Sequence, residues 1–414
     1  MTSTIASPQE SPSVLLVGAG TVGLALVLDH LRNEVDVILA DADPRAIDSA
    51  RLMVKENYQD IRVTDSVLAI QSLPSLAFAC GNKPPSPPGL CIESITENLS
   101  LKQALFSLLR RTLGHDIILT SNTSNLRVRD VFASLPGDAG VCGLHFFMPV
   151  EARPLAELIA TDATSEATRA ACQSHIKRLQ KNVLWTRDQP GFVVNRLLAP
   201  YLNQSLLMLE HGVPHDLIHR AAQQFGMPMS PLVLMDTIGL RTAFDSGRVF
   251  WQSYPQRMDP AMILPGMVKA QRSAPDQRVS FVPLGQTTGL TAVAVEMIKK
   301  YQRATLSMSI EDAILCLAVP MWIEAAEVIR TRVVSEFVDV DTAMRGGLGF
   351  QGDVGFWDYF DSLGTAKMVA TIQKFGIHFR SLRISDELMR FLEVSSVPST
   401  AVQNYRGVPK PIEG

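Results

Sequence analysis

Residues 13–41 read SVLLVGAGTVGLALVLDHLRNEVDVILAD. A short apolar run, 13–17, meets a glycine cluster, GAGTVG at 18–23. Helical periodicity follows over 21–31, and a second apolar run, 35–40, ends at Asp41. Strand, glycine turn, helix, strand and terminal carboxylate form the context in which GxGxxG carries a dinucleotide-binding meaning. Gly18 permits the tight turn, Gly20 lets the backbone approach a pyrophosphate, and Gly23 lets helix and strand pack closely. Thr21 and Val22 lie between them and open the helix, whose first N–H groups and positive dipole end face the phosphates. Asp41 would accept hydrogen bonds from ribose hydroxyls and repel a 2′-phosphate, which favours NAD over NADP. Arg45 is a nearby cation that works against this preference.

Beyond this unit, strand-like runs recur at 90–95, 117–120, 141–146 and 155–159, with a helix-like segment at 101–113. Strands alternating with helices predict a parallel sheet covered on both faces, an α/β Rossmann-type domain over 13–187. A Pro-rich segment, 82–89, reads as a stiff surface loop. From Phe192 onward long helical patterns dominate, so the boundary falls near 186–188. The helical half carries a weak repeat. Pro200-Tyr201-Leu202 and Asp236-Thr237-Ile238-Gly239 are echoed by Pro320-Met321-Trp322 and Asp361-Ser362-Leu363-Gly364. The reading is a tail (1–12), the dinucleotide-binding domain (13–187), and two related all-α units, 188–305 and 306–414.

The chain has 414 residues, 46% hydrophobic, so at roughly 150 residues per domain two or three domains are expected. Lys plus Arg is 38 against 41 Asp plus Glu, too balanced for a nucleic-acid partner held by a general field. Five scattered cysteines, without CxxC spacing, argue against a disulfide framework or structural zinc and for a reducing compartment. No apolar run reaches the roughly 18 residues that a membrane span needs. The N-terminal tail lacks a signal-peptide core, so the expected location is cytoplasmic and no membrane partner is expected. His211, His215 and His219 are spaced by four, but Gly212 and Pro214 interrupt the helix between the first two. They read as surface histidines, and no metal is assigned.

His145 ends a predicted strand, where parallel-sheet proteins place ligands. Oxidising a secondary alcohol requires loss of the hydroxyl proton, and a histidine near neutrality is a suitable acceptor. Glu157 lies 12 residues on, in the next apolar run. A carboxylate on the far imidazole nitrogen would hold the tautomer and favour the protonated ring.

Four segments carry a wider likeness: ESITENLSLK at 93–102, SNTS at 121–124, GLHFFMP at 143–149 with LAE at 155–157, and PGFVVNR at 190–196. In order and spacing they resemble the L-3-hydroxyacyl-CoA dehydrogenase family, over about 13–240. The resemblance implies His145 as general base and Glu157 as its partner. Ser124 and Asn195 would hydrogen-bond the substrate oxygen, the cofactor or the histidine. Glu97 and Lys102 would line the nicotinamide-ribose side. The helical tail looks like the second C-terminal unit of the multifunctional β-oxidation enzymes. The implied substrate is an acyl-CoA and the implied cofactor NAD. An enoyl-CoA hydratase or thiolase would be a partner chain, and the protein itself a monomer or homodimer.

Met148 stands where the family usually has Asn, Ser230 where it has Gly, and the stretch between Asp41 and Glu93 is short. Two further readings therefore stay open, a dehydrogenase of another 3-hydroxy acid and a low-activity nucleotide-binding subunit of a β-oxidation complex.

Overall fold

The computed structural model describes residues 13–57, 68–70 (backbone), 88–135, 137 and 140–407. The tail 1–12, Cys80 and most of the Pro-rich segment 82–89 lie outside them. The chain divides into two compact units, Met1–Asp188 and Gln189–Gly414.

Among the described residues the first unit holds eight strands: β1 (Val14–Val17), β2 (Val37–Ala40), β3 (Leu68–Ile70), β4 (Leu90–Glu93), β5 (Ile118–Ser121), β6 (Val141–Phe146), β7 (Leu155–Ala160) and β8 (Asn182–Arg187). Its helices are α1 (Thr21–Arg32), α2 (Pro44–Asn57), α3 (Leu99–Leu113), α4 (Val128–Val131) and α5 (Glu166–Arg178). One sheet has the order β3-β2-β1-β4-β5-β6-β7-β8. β1, β2 and β4 are buried at every position, because a parallel sheet is covered on both faces. Leu26 and Val27 of α1, Leu16, Leu39 and Ile92 of the central strands, and Cys172 and Ile176 of α5 share one core.

Several limits shift for local reasons. β4 stops at Glu93 rather than running to residue 95, because the Glu93 carboxylate accepts the Ile95 N–H at 2.7 Å and turns the chain. α3 begins two residues early, at Leu99, where the Asn98 side chain caps it by accepting from Leu101 N at 3.1 Å. α5 and β8 were not among the expected elements. The larger correction concerns sheet direction. β7 runs antiparallel to β6, against the expected parallel sheet. The connection over 147–154 is too short for a parallel crossover, which takes about a dozen residues or more, so the chain must fold back.

α1 and α5 also bring together a buried histidine pair. His30 Nδ1 lies 2.7 Å from Leu26 O, and His30 Nε2 lies 3.1 Å from His175 Nε2. The carbonyl requires the proton on Nδ1, so His30 Nε2 accepts and His175 donates. Burial pushes His30 down to about 4, only partly opposed by the Leu26 bond, and pushes His175 well below the ordinary histidine value. The nearby cations Lys181 and Arg178 act in the same direction on His30. Asp29, ion-paired with Lys181 at 3.2 Å, completes the charged surroundings.

Both rings are neutral in the folded state, whereas the unfolded chain protonates them near 6.5. The unfolded state therefore binds more protons between about pH 6.5 and 4, and stability falls as pH drops through that window. His30 alone accounts for about 3 kcal/mol across it. Urea unfolding of the first unit is expected to show a midpoint falling between pH 7 and 5. A His30→Leu variant should lose part of that slope, and a flat wild-type midpoint would contradict the assignment.

The second unit is helical: α6 (Val194–Glu210), α7 (His215–Phe225), α8 (Pro231–Ile238), α9 (Leu240–Ser253), α10 (Ile263–Ser273), α11 (Ala292–Tyr301), α12 (Ile310–Arg330), α13 (Phe337–Thr342), α14 (Phe356–Leu363), α15 (Thr365–Phe375), α16 (Asp386–Val394) and α17 (Pro398–Tyr405). Pro200 lies inside α6 and Pro320 inside α12. Gly239, between α8 and α9, and Gly364, between α14 and α15, both adopt positive φ, +91° and +78°. Asp236 and Asp361 each use a carboxylate to hold a distant segment, at Phe281 and Val282 N–H and at Ser399 N–H respectively, all at 2.8 Å.

α12 packs against α6 and α7, so both repeats fall within one unit. Arg196 of α6 donates to Glu324 of α12 at 2.6 Å. Arg257 reaches both Glu324 oxygens at 3.0 Å and Glu327 at 2.7 Å. The Arg196 and Arg257 guanidinia lie over the Tyr254 ring at 4.7 and 4.6 Å. His211 corrects the surface reading. It is buried, its Nδ1 is 2.8 Å from Leu207 O, and its ring meets Phe379 edge-on at 4.9 Å. The apolar centre of α12 is buried in this unit, and no helix among the described residues is long and apolar enough to cross a membrane.

Candidate active site

The glycine loop follows from steric limits. Gly18 has φ +110°, and a Cβ there would come 2.5 Å from Ser94 O. A Cβ on Gly23 would fall 1.8 Å from Gly18 O, so α1 lies directly against the turn. Gly20 differs, since its Cβ would meet nothing within 4 Å. Its backbone is extended and no side chain caps α1, so the helix N-terminus is left to an external acceptor. This open approach fits a pyrophosphate. Thr21 and Val22 occupy the first turn.

Asp41 follows β2. Its Oδ2 accepts Ala19 N at 2.7 Å and its Oδ1 accepts Asp43 N at 2.8 Å, so it ties the glycine loop to the end of β2. Each carboxylate oxygen has a second lone pair, so ribose hydroxyls can still be accepted. Arg45 is drawn onto Asp43, with Nε 3.1 Å from Oδ1 and the terminal nitrogen 3.1 Å from Oδ2. That pairing depresses the Asp43 carboxyl below its usual range.

The antiparallel step places His145 directly opposite Glu157. His145 Nδ1 is 2.8 Å from Glu157 Oε2, and the two are 4% and 0% exposed. The carboxylate accepts the Nδ1 proton, which assigns Nε2 as the basic nitrogen. The Phe147 ring meets the imidazole edge-on at 4.7 Å.

Ser124 sits on the loop after β5. Asn122, on the same loop, accepts the Phe146 N–H at 2.8 Å, one residue beyond His145. Glu97 accepts the Thr123 hydroxyl at 2.6 Å and the Ser124 and Asn125 N–H groups at 3.0 and 2.9 Å. Lys102 is drawn between two carboxylates. Its side chain is 1% exposed, with Nζ 2.5 Å from Glu93 and 3.3 Å from Glu97, so its ammonium serves the two carboxylates. Glu93 in turn accepts the Ser121 hydroxyl at 2.6 Å. Asn195 belongs to the second unit, in the first turn of α6.

Glu93, Ser121 and Asn122 were missed as site-building residues. Glu93 was legible in principle, because like Asp41 it is a carboxylate at the C-terminal end of a predicted parallel strand. Asn122 and Ser121 lay inside a quoted motif, but their long-range partners leave no local pattern.

Among known proteins, the 3-hydroxyacyl-CoA dehydrogenase NAD-binding domain matches residues 13–189, and the C-terminal domain of the same family matches 191–282. The chain is 27% identical, over 388 residues, to the fatty acid oxidation complex subunit alpha of Pseudomonas entomophila. That match covers 87% of this chain and 52% of the relative, so the chain spans about half of the relative's length. The crystal structure of 3-hydroxybutyryl-CoA dehydrogenase from Escherichia coli K12 superposes with a TM-score of 0.72, covering 92% of this chain and 98% of that one. At 20% identity this is a likeness of fold. The (S)-3-hydroxybutyryl-CoA dehydrogenase PaaH1 of Ralstonia eutropha is 27% identical with a TM-score of 0.54, covering 62% of this chain and 93% of its own. Both family domains follow one another without a gap longer than a single residue, and the chain belongs to the 3-hydroxyacyl-CoA dehydrogenase family of NAD-dependent oxidoreductases, with residues 13–189 as its NAD-binding domain.

Proposed function

We propose that the chain oxidises (3S)-3-hydroxyacyl-CoA to 3-oxoacyl-CoA, reversibly, with NAD as the hydride acceptor. The observation that carries this reading is the buried His145–Glu157 pair at 2.8 Å, beside the loop bearing Ser124. His145 Nε2 takes the hydroxyl proton as the carbon–oxygen double bond forms. Glu157 stabilises the resulting imidazolium and prevents the ring from turning. Ser124 hydrogen-bonds the substrate oxygen, the cofactor or the histidine, and the Gly18, Gly20 and Gly23 loop with Asp41 holds the pyrophosphate and ribose. In this reading 13–187 binds NAD, 188–305 completes the dehydrogenase, and 306–414 is a structural repeat of it. The named relative from a fatty acid oxidation complex supports a place in β-oxidation, with substrate drawn from an enoyl-CoA hydratase and product passed to a thiolase.

The test is NADH formation with 3-hydroxybutyryl-CoA and with free 3-hydroxybutyrate. Turnover of the thioester is expected, and little of the free acid. Activity on the free acid alone would overturn the CoA assignment. NAD binding without turnover of either would overturn the enzyme assignment in favour of a binding subunit.

A further inference from the structure

We propose that Gly347 is a positioning residue for Asn195: it seats the first turn of α6 against a π-helical turn, while Glu324 anchors the other side. The inference rests on the dehydrogenase reading, with Asn195 as the residue of the helical unit that the family resemblance brings into the reaction. All three residues lie in the same compact unit.

The chain enters α6 through two left-handed residues, Gly191 at φ +75° and Phe192 at φ +48°. A residue with a Cβ keeps that conformation only where its surroundings hold it. From Phe192 to Leu197 every residue is buried except Asn195, which is partly open. Asn195 is therefore the one residue of this stretch that reaches past the packing.

Its two neighbours are each seated on a remote segment. Val194 meets Gly347, where a Cβ would fall 2.6 Å from Val194 Cγ2, 2.9 Å from Cγ1 and 3.3 Å from Cβ. Both methyl groups face the glycine, and a β-branched side chain in a helix is held to one strongly preferred rotamer, so turning the valine relieves nothing. Gly347 ends a π-helical turn, Ala343–Gly347, that follows α13. Such turns are rare and frequently lie at functional sites. Here the turn brings bare backbone against the start of α6. On the other side Arg196 donates from Nε to Glu324 Oε1 at 2.6 Å. Glu324 cannot follow a moving Arg196, because Arg257 holds both of its oxygens at 3.0 Å. Asn195 thus stands between a steric stop and an ionic anchor. Asn195-Arg196 precede Pro200 at the spacing by which Leu315-Cys316 precede Pro320. The later segment has no such asparagine, and α12 with the π turn serves the earlier one.

The test compares Gly347→Ala, Val194→Ala, the Gly347→Ala/Val194→Ala pair, Glu324→Asp, and Gly347→Ala in an Asn195→Ala background. The readouts are kcat and KM with 3-hydroxybutyryl-CoA, NADH affinity by fluorescence titration, and amide hydrogen exchange at Arg196 and Leu197. Those two amides close the start of α6, on Gly191 O at 3.2 Å and Val193 O at 3.0 Å. Gly347→Ala is expected to lower kcat by about 10²-fold, the scale of an ångström-sized misplacement. NADH affinity should be unchanged, since the glycine loop belongs to the other unit. Removing the Val194 methyl groups makes room for the new Cβ, so the Gly347→Ala/Val194→Ala pair should recover at least tenfold. Glu324→Asp keeps the charge but draws it back by one methylene, and should lower kcat in the same way. Val194→Ile enlarges the same contact and serves if Gly347→Ala folds poorly. In the Asn195→Ala background Gly347→Ala should cost little more, since residues acting as one unit are not additive.

Unchanged kcat in folded Gly347→Ala, no recovery in the pair, or a full further loss in the Asn195→Ala background would each overturn the inference. Exchange at Arg196 and Leu197 should accelerate in Gly347→Ala and slow again in the pair. Unchanged protection would overturn the inference whatever the substrate proves to be. An inactive wild type with accelerated exchange in the variant would instead overturn the dehydrogenase reading and leave the seating of α6 standing.

Discussion

Replacing His145 with alanine is expected to lower kcat for 3-hydroxyacyl-CoA oxidation by roughly 10²- to 10⁴-fold, the usual contribution of a positioned general base. NAD affinity should persist. The glycine loop and Asp41, assigned to the cofactor, follow β1 and β2 and open α1, whereas His145 lies on β6. A parallel fall in kcat and kcat/KM would mark the loss of an interaction made in the transition state. The size of the effect follows from burial and pairing together. The imidazole is 4% exposed, its Nδ1 side is taken by Glu157 at 2.8 Å, and Phe147 packs on its ring. No mobile water can easily replace a base held in this way. Turnover unchanged in His145→Ala, with the variant folded, would remove the residue from the mechanism.

Glu324→Gln is expected to destabilise the helical unit by about 3–5 kcal/mol, as does breaking a buried ion pair by removing one partner. Arg196 and Glu324 are 1% and 2% exposed and joined through two guanidinium nitrogens. Arg257 shares the same carboxylate and also pairs with Glu327, whose other cation is Arg330. Three guanidinia therefore face two carboxylates. Burial alone would raise the Glu327 carboxyl, but Arg257, Arg330 and the Tyr405 hydroxyl outweigh it and hold it below its usual range. Without Glu324, Arg196 and part of Arg257 would remain charged over Tyr254 with no counter-charge. Glutamine keeps the shape but removes the charge and turns one accepting oxygen into a donor, so urea unfolding reads the loss of the ion pairs. A change below about 1 kcal/mol, the value typical of an exposed pair, would refute the buried-network account.

Much of the first unit was readable from local pattern. GAGTVG at 18–23, the apolar runs on either side and Asp41 all rest on constraints that act within a few residues. Gly18 needs positive φ, and Gly23 needs the absence of a Cβ. Helix ends moved only where a neighbour capped or turned the chain, as Asn98 does for α3 and Glu93 for β4. Lys102 was less readable. In sequence it is a lysine three residues into a polar-looking helix start, and nothing local indicates that it will be enclosed between two carboxylates.

The amino-acid order alone carried the dinucleotide fold and the shift to helices beyond residue 188, because periodicity and backbone sterics are short-range properties, while the candidacy of His145 and Glu157 came with the resemblance of four motifs. Folding added what depends on remote segments meeting. The reversal of β7 brought Glu157 across from His145, Glu97 gathered the Ser124 loop, and α12 returned to neutralise Arg196 of α6. Pairing of this kind arises from closing long loops and excluding water around opposite charges. Neither leaves a periodic trace in the chain.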